Sequence, residues 1–444
     1  MDLRQKFSLL LLIFIAAFFM ADQNLLPPNY QIIMKEFHVS EPEIGLVSSA
    51  FVATSSVITI VWGLLSDIVS RKKLLLIGVL AGELPCFLTS FVQNYWQLLA
   101  LRILTGIGIG SIIPVAYTLI SDLFEEEKRG KGYGLIATSF GFGTLFGMVL
   151  AGLIPSWRLP FIIVSLPNFV LAPLFYIVFK EPIRGSGDKV VREAYEKGII
   201  YNYRLSIDAI KKSFKTITNI LIFAQGAVGT MPWGVLLYWL VSFFIVVRGM
   251  TKETATMILL LIGIATVLGN LFGGILGDIF DKKLRGGRAL LSGVAIFAGI
   301  FVALYILIYP FPSSPSILTW IFIALYSLLL VQIISYAGPN VTTIISHVNL
   351  PEDRGTVFGV YNILNSIGSA IGPFFGGLLI SLLMGLGYSR PAAYQYALMI
   401  AVLFWIPCSL IWIWIYRTYP KDRERIQSIL RSRLMSRSDD KSGN

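Results

Sequence analysis

The stretch Gly63-Leu-Leu-Ser-Asp67-Ile-Val-Ser-Arg71-Lys-Lys-Leu74 places one acidic and three basic residues between two long apolar runs. A second copy, Gly274-Ile-Leu-Gly-Asp278-Ile-Phe-Asp-Lys282-Lys-Leu284, follows at a constant offset of 211 residues. The chain therefore contains an internal repeat, and each copy carries a charged connection at the same place.

The composition predicts an all-α polytopic membrane protein. Of the 444 residues, 55% are hydrophobic and 14% charged, and the mean hydropathy is +0.74, which is too apolar for a soluble protein. We interpret the apolar start of the chain as the first membrane helix rather than a targeting signal. Apolar windows of about 20 residues predict twelve transmembrane helices, at 7–26, 44–66, 74–92, 96–121, 132–154, 158–180, 219–247, 254–277, 288–310, 317–347, 356–384 and 393–417.

The distribution of positive charge predicts the orientation. The N-terminus, the connections after even-numbered helices and the C-terminal tail hold 30 of the 36 lysines and arginines, whereas the connections after odd-numbered helices hold five. By the positive-inside rule, both termini and the long middle connection are cytoplasmic, in a multi-pass protein of the plasma or inner membrane. The net charge of +11 then reflects topology and attraction to anionic lipid rather than nucleic-acid binding.

A second internal sequence repeat defines two halves. Residues 128–135 match residues 353–360, and the glycines that follow at 143, 147 and 152 are in step with those at 368, 372 and 377, at an offset of 225. Two six-helix halves in the same orientation are parallel repeats, the architecture of major facilitator transporters, in which the substrate site lies between the halves. We predict an N-terminal half at 1–184, a cytoplasmic linker with an amphipathic helix at 185–218, a C-terminal half at 219–417 and a cytoplasmic tail at 418–444.

The repeated charged connection predicts a cytoplasmic gate. Asp67 falls at the C-terminal end of helix 2, where the helix dipole disfavours a negative charge, so it needs Arg71 or the N-terminal end of helix 11 as a partner. Asp278 has the same need, and Gly63 would allow close helix packing. The alternative is that Asp67 only solvates a tight loop. The predicted gate residues are Gly63, Asp67, Arg71, Asp278, Lys282, Arg129 and Arg354.

These residues also carry a family resemblance. Residues 63–73 resemble the signature loop of the major facilitator superfamily, and Arg102-Ile-Leu-Thr-Gly-Ile-Gly108 is similar to its helix 4 motif. Within the superfamily, the chain resembles the Spinster family of lysophospholipid and sphingolipid transporters. Further matching residues are Asp22, the run Asp122-Leu-Phe124 followed by Arg129, and Glu181-Pro182-Ile-Arg184-Gly185.

The chain departs from the Spinster pattern at two positions. The arginine expected beside the helix 1 aspartate is Gln23, and the helix 4 glutamate that the family uses in proton coupling is Ile109. The resemblance therefore implies lipid transport without supplying the usual proton carrier.

Charged residues inside the predicted helices are costly unless they are paired or hydrated. Asp22 on helix 1 and Arg102 on helix 4 reach similar depth at ~1.5 Å per residue, so they can pair, either as a functional switch or as a static structural ion pair. Glu83 lies on helix 3, two residues before Pro85. It is either a relocated proton site or a neutral glutamate hydrogen-bonded to a neighbouring helix. Cys86 and Cys408 fall in apolar stretches, and we interpret them as packing residues.

The resemblance implies a cavity lined by helices 1, 4, 7 and 10. Residues at 332, 336 and 340 recur every four positions, which predicts one face of helix 10, with a bend at Pro339. Polar groups with aromatic rings opposite them suit an amphipathic substrate, although such residues can also satisfy one another in the bundle. The candidate lining residues are Gln23, Asn24, Gln225, Trp233, Tyr238, Gln332, Tyr336 and Asn340.

Together these features predict a secondary-active transporter that works by alternating access on a lipid-like substrate such as a lysophospholipid, with proton coupling as a hypothesis. One alternative is a major facilitator carrier for sugars, organic anions or drugs. Another is a membrane-embedded lipid-modifying enzyme, but the sequence contains no metal-ligand cluster, nucleophile motif or phosphate-binding loop. We therefore expect no enzymatic activity, no cofactor and no metal, membrane lipids as partners, and a monomer.

Overall fold

The computed structural model describes residues 3–124, 129–181, 211, 213–350 and 353–442, apart from the side chains at 67, 129, 130 and 433–442. Within these residues the protein is entirely helical, with no strand. Most of the predicted linker at 185–218 lies outside the described residues, so its amphipathic helix stays a prediction.

Twelve helices follow the predicted order, and most extend beyond the apolar windows. Eleven of the twelve described helices are long and apolar enough to cross a membrane. The twelfth is α3, which begins with the charged run Arg71-Lys-Lys73. The helices are α1 (Leu3–Asp22, resuming at Tyr30–Phe37), α2 (Glu41–Ile68), α3 (Arg71–Thr89), α4 (Tyr95–Ile109 and Ile112–Leu123), α5 (Arg129–Leu153), α6 (Leu159–Val178), α7 (Ile217–Arg248), α8 (Lys252–Lys283), α9 (Gly287–Ile308), α10 (Ile317–Leu329 and Ala337–Val348), α11 (Arg354–Gly385) and α12 (Arg390–Leu403 and Trp405–Ser442).

Four of the helices, α1, α4, α10 and α12, are interrupted along their length, and the breaks in α1 and α10 lie beside prolines. The first part of α1 ends at Asp22, and the chain resumes through a 3₁₀ turn at Pro27–Asn29, because a proline has no N–H to continue the helical hydrogen bonding. In α10 the residues Val331–Tyr336 wind as a 3₁₀ helix. Pro339 cannot donate to the carbonyl four residues earlier, which is that of Ser335. Discontinuous membrane helices of this kind expose backbone groups at depth, where transporters bind ligands.

The glycines repeated at an offset of 225 have equivalent packing in the two halves. In α5, a Cβ atom at Gly143 would clash with the carbonyl of Ala17 in α1. In α11, a Cβ atom at Gly368 would clash with the carbonyl of Ala227 in α7. The same kind of close backbone approach thus occurs in each half, as expected when small residues bring membrane helices together.

Contacts within the chain define two compact units whose boundaries fall inside α7, α8, α11 and α12. The first unit comprises Met1–Tyr203, Leu237–Leu260 and Ala370–Tyr394, and the second comprises Arg204–Leu236, Leu261–Ser369 and Gln395–Asn444. The first unit thus combines residues from both predicted halves. Its apolar core includes Leu12, Ile15 and Phe19 of α1, packed with buried residues of α3, α4 and α6. In the second unit, α12 continues without a break through the predicted tail as far as Ser442.

Candidate functional site

A buried ion pair joins α1 to α4 in the first unit. The Arg102 guanidinium donates to the Asp22 carboxylate over 2.7 Å, and each side chain is only 1% exposed. The predicted pairing is confirmed. Because Asp22 is the last residue of its helical segment, its carboxylate lies at the negative end of the helix dipole, where a cation is needed to stabilise it.

Aromatic rings surround the guanidinium of Arg102. Its centre lies 4.4 Å from the ring centroid of Phe51 in α2 and 5.5 Å from that of Phe161 in α6. The phenol of Tyr238, buried in α7, interacts electrostatically with both members of the pair. The cation is therefore shielded from solvent by ring faces, which favours cation–π attraction and strengthens its interaction with Asp22.

Helix α3 adds two groups beside the pair. The thiol of Cys86 donates to the Asp22 carboxylate over 3.2 Å, so this cysteine does more than fill space. Glu83 lies one turn earlier, is fully buried, and accepts a hydrogen bond of 2.5 Å from the side-chain amide of Asn168 in α6. The hypothesis of a glutamate hydrogen-bonded to a neighbouring helix is confirmed for this contact.

The approach of α3 to α4 depends on two glycines. A Cβ atom at Gly108 would clash with the backbone of Gly82. This contact brings α3 against the helix of Arg102 and places Cys86, one turn beyond Gly82, within reach of Asp22. Part of the glycine motif in helix 4 is thus explained by the assembly of the buried cluster.

Several polar atoms of this cluster are buried without a hydrogen-bond partner among the described residues. They are Asp22 Oδ2, Glu83 Oε2 and Asn168 Oδ1. An unpaired buried acceptor costs free energy unless a proton or a water molecule occupies it.

The predicted gate residues of the first half have partners that the sequence reading missed. Arg71 forms a buried ion pair with Asp122 at the end of α4, and Glu181 accepts hydrogen bonds from the Arg71 N–H and the Ser70 hydroxyl at the start of α3. A Cβ atom at Gly63 would meet Pro114 at 3.9 Å, an ordinary contact. The expected close packing at Gly63 is therefore wrong.

The second half has a comparable ion pair. Arg288, at the start of α9, contacts Asp278, which is the repeat partner of Asp67. It also donates to Asn340 over 3.1 Å. Lys282 is exposed, and Arg354 is half-buried at the start of α11. The side chains of Asp67 and Arg129 lie outside the described residues, and the role of all these residues as a gate stays a prediction.

Residues from both predicted halves are linked within the first unit, at the end of the helices that is poor in lysine and arginine. Glu41 of α2 accepts hydrogen bonds from Arg390 at 3.0 Å and from Tyr394 at 3.1 Å, both in α12. The Lys252 ammonium donates to Asn29 at 3.0 Å and to the Ile154 carbonyl at 2.6 Å. We call Glu41, Arg390, Tyr394, Lys252 and Asn29 the outer latch. The sequence reading did not anticipate it.

A cavity of about 260 Å³ lies within the second unit. Two predicted lining residues of α7, Gln225 and Trp233, line it. The structure adds Asn270 of α8, Ser335 of α10 and Asn365 of α11. Asn365 had a signal in the sequence, because it is a polar residue in an apolar helix.

The other predicted lining residues lie elsewhere. Gln332 and Tyr336 do not share a face as predicted, since the chain between them winds as a 3₁₀ helix with about three residues per turn. Asn340 is fully buried and held by Arg288 and by backbone carbonyls. In α1 and the turn after it, Gln23 donates to the sulfur of Met20 and Asn24 is buried. Their contact with substrate stays a prediction.

Comparison with known proteins decides the family. The sequence model of the family described as Major Facilitator Superfamily matches residues 12–373 and 326–434 of this chain. The chain belongs to the major facilitator superfamily. This membership supports a function in membrane transport, and it agrees with the predicted fold.

Among superfamily members, the chain is similar to Spinster proteins over most of its length. Protein spinster homolog 3 of Mus musculus is 24% identical over 388 residues, which cover 82% of this chain and 72% of that protein. Multidrug resistance protein 3 of Bacillus subtilis (strain 168) is 35% identical, but over 135 residues, which cover 29% of this chain and 26% of that protein. The predicted resemblance to the Spinster family is thus confirmed.

Solved structures of the superfamily share the fold. A bacterial homolog of the human lysosomal transporter Spinster, in an inward-facing and unoccupied conformation, aligns with a TM-score of 0.81 at 17% identity, covering 95% of this chain and 99% of that one. The nucleoside transporter NupG aligns with a TM-score of 0.69 at 15% identity, covering 92% and 99%. At such identities the comparison describes the fold alone.

Proposed function

We propose that this major facilitator protein is a secondary-active transporter that moves an amphipathic, lipid-like substrate by alternating access, with protons as the coupling ion. The observation that carries the proposal is the buried Asp22–Arg102 pair with Glu83 beside it. A membrane protein rarely retains such groups at depth for stability alone, because each buried charge is costly. The similarity to Spinster proteins over most of the chain supports a lipid-like substrate.

Proton coupling follows from the charge balance of the cluster. Glu83 is fully buried, and its hydrogen bond comes from the neutral amide of Asn168 rather than from a cation; a buried carboxylate held in this way is costly when charged. Asp22 forms an ion pair with Arg102 over 2.7 Å. Protonation of Asp22 would remove that partner and leave the guanidinium uncompensated, which would favour a rearrangement of α1 relative to α4. Glu83 would serve as the proton donor or acceptor in that exchange.

Alternating access requires contacts at one end of the bundle that can form and break. The outer latch supports this proposal, since it ties α2 and the turn after α1 to the ends of α8 and α12. The outer latch consists of a few polar side chains. These can exchange their protein partners for water at a modest cost in free energy. We propose that this end faces the outside of the cell membrane and that both termini are cytoplasmic.

The test is uptake of a labelled lysophospholipid into proteoliposomes, with and without an imposed pH gradient. We expect uptake that rises several-fold when the gradient is imposed, and loss of that rise in Glu83→Gln, which keeps the shape and the hydrogen bond with Asn168. The matched control is Gln97→Glu, at an exposed position of α4. An equal rate with and without the gradient in the native protein would exclude proton coupling, and no lipid uptake under either condition would exclude the proposed substrate class.

A further inference from the structure

The cavity in the second unit differs chemically from the buried ion pair. It is lined by side chains of α7, α8, α9, α10, α11 and α12, and none of its described lining residues carries a charge. A phosphate or an ammonium group placed there would lose its hydration without gaining an opposite charge, which is strongly unfavourable. The cavity therefore suits an uncharged group.

The polar groups of the cavity are amides and hydroxyls that the protein leaves partly unused. The Ser335 hydroxyl is buried without a partner among the described residues. The side-chain amide of Asn365 makes no hydrogen bond with the described residues. The side chain of Asn270 uses only its N–H₂ group, which donates to the Thr266 carbonyl over 3.1 Å. Amides and hydroxyls both donate and accept. They match a ligand that carries several hydroxyl groups.

Aromatic rings complete the site. The rings of Trp233 and Trp405 meet edge to face with centroids 5.8 Å apart, and the indole N–H of Trp405 is already bonded to the Gly229 carbonyl. Their remaining ring surface is apolar and can contact the C–H face of a saturated ring. The volume of about 260 Å³ is below the range typical of sites for whole drug-sized ligands. It fits one head group better than a complete lipid.

We propose that this cavity binds an uncharged, polyhydroxylated group the size of a single sugar ring, as a ligand additional to the lipid-like substrate. The proposal concerns binding alone and does not rest on the proposed transport function. The same chemistry is present in a free sugar and in a glycolipid head group, so the test includes both.

The experiment measures binding to the full-length protein in phosphatidylcholine nanodiscs, by tryptophan fluorescence and calorimetry. The ligands are glucose, hexyl glucoside below its micellar concentration, and a lysophosphatidylcholine, with empty nanodiscs as the blank. We expect hexyl glucoside to bind and lysophosphatidylcholine not to compete with it. Stronger binding of hexyl glucoside than of glucose would identify a glycolipid as the source, and equal binding a free sugar.

Variants locate the site. Asn365→Ala and Asn270→Ala should each weaken hexyl glucoside binding about fivefold, the loss expected for one hydrogen bond. Ser335→Ala should weaken it less, because it also removes a buried unpaired group. The matched controls are Asn362→Ala, one turn before Asn365 and exposed, and Ser327→Ala, on α10 but outside the cavity. These controls should bind as the native protein does.

The outcomes separate the two proposals. No binding of glucose or hexyl glucoside, or equal weakening in the variants and their controls, would overturn the sugar-binding proposal even if lysophospholipid is transported. Site-specific binding of hexyl glucoside without any transport would support this cavity and refute the proposed transport function.

Discussion

Glu41 and Arg390 lie 349 positions apart in the chain, yet the guanidinium of Arg390 donates to the carboxylate of Glu41 over 3.0 Å. The Glu41 side chain is 8% exposed and that of Arg390 is 48% exposed. One partner is thus buried and the other reaches solvent. Such a pair can stabilise a closed arrangement that still opens. Arg390 keeps much of its hydration while the contact is formed, so the free-energy difference between the paired and the separated state is small.

Loss of this contact should open the outer latch more often. We expect Glu41→Gln to increase maleimide labelling of a cysteine placed at Val47, a buried position of α2, by about fivefold, which corresponds to roughly 1 kcal/mol. Cys86 and Cys408 are both buried and can be replaced by alanine as background. Glu253→Gln, at an exposed carboxylate near the same end, is the control. Unchanged labelling in Glu41→Gln would contradict a latch role.

The Asp22–Arg102 pair should be essential for transport. We expect Asp22→Asn and Arg102→Ala to abolish uptake in proteoliposomes. Arg102→Ala should also lower stability by about 3–5 kcal/mol because it leaves a buried carboxylate unpaired, whereas Asp22→Asn keeps the shape of the side chain. Cys86→Ala removes a neighbouring donor and leaves the ion pair intact, so it should retain most activity. Native transport rates in both pair variants would refute the assigned role.

The contact between α3 and α4 should tolerate no added atom. We expect Gly108→Ala to lower the midpoint of thermal unfolding in detergent by several degrees, since its Cβ would clash with the backbone of Gly82 and overpacking typically costs about 1–3 kcal/mol. Gly63→Ala is the matched comparison, because its Cβ would have room. Equal midpoints for the two variants would show that α3 and α4 are not in close contact at Gly82 and Gly108.

The Arg71–Asp122 pair should stabilise the first half. We expect Arg71→Met and Asp122→Asn each to reduce thermal stability by about 3 kcal/mol, because each removes one member of a buried ion pair. The double variant should be less destabilised than the sum of the two. Lys73→Met, at an exposed neighbour in the same basic run, should have little effect. Additive losses in the double variant would argue against a direct pair.

Much of the buried cluster could be predicted because charges inside apolar helices are few. Asp22, Glu83 and Arg102 stand out in the sequence, and their depth follows from helix rise alone. Cys86 could not be assigned to the cluster, since a cysteine in an apolar run is far more often a packing residue. Its role depends on the close approach of α3 and α4, which is a tertiary property.

The cavity was predicted less well, for a local reason. The four-residue spacing of Gln332, Tyr336 and Asn340 assumes a continuous α-helix, whereas the chain of α10 changes to a 3₁₀ helix before Pro339. The change of winding turns different side chains toward the cavity, so Ser335 lines it instead. A proline signals a break, but it does not specify the winding of the residues before it.

What the sequence by itself determined is the class of protein: twelve apolar helices, two repeated halves and a buried acid and base at matching depth. These follow from hydropathy and periodicity, which act locally along the chain. Only the tertiary structure decided which partners the charges take, including Arg71 with Asp122, Arg288 with Asp278, and Glu41 with Arg390. Those choices depend on packing between helices distant in sequence, where small residues and helix breaks set the distances at which side chains meet.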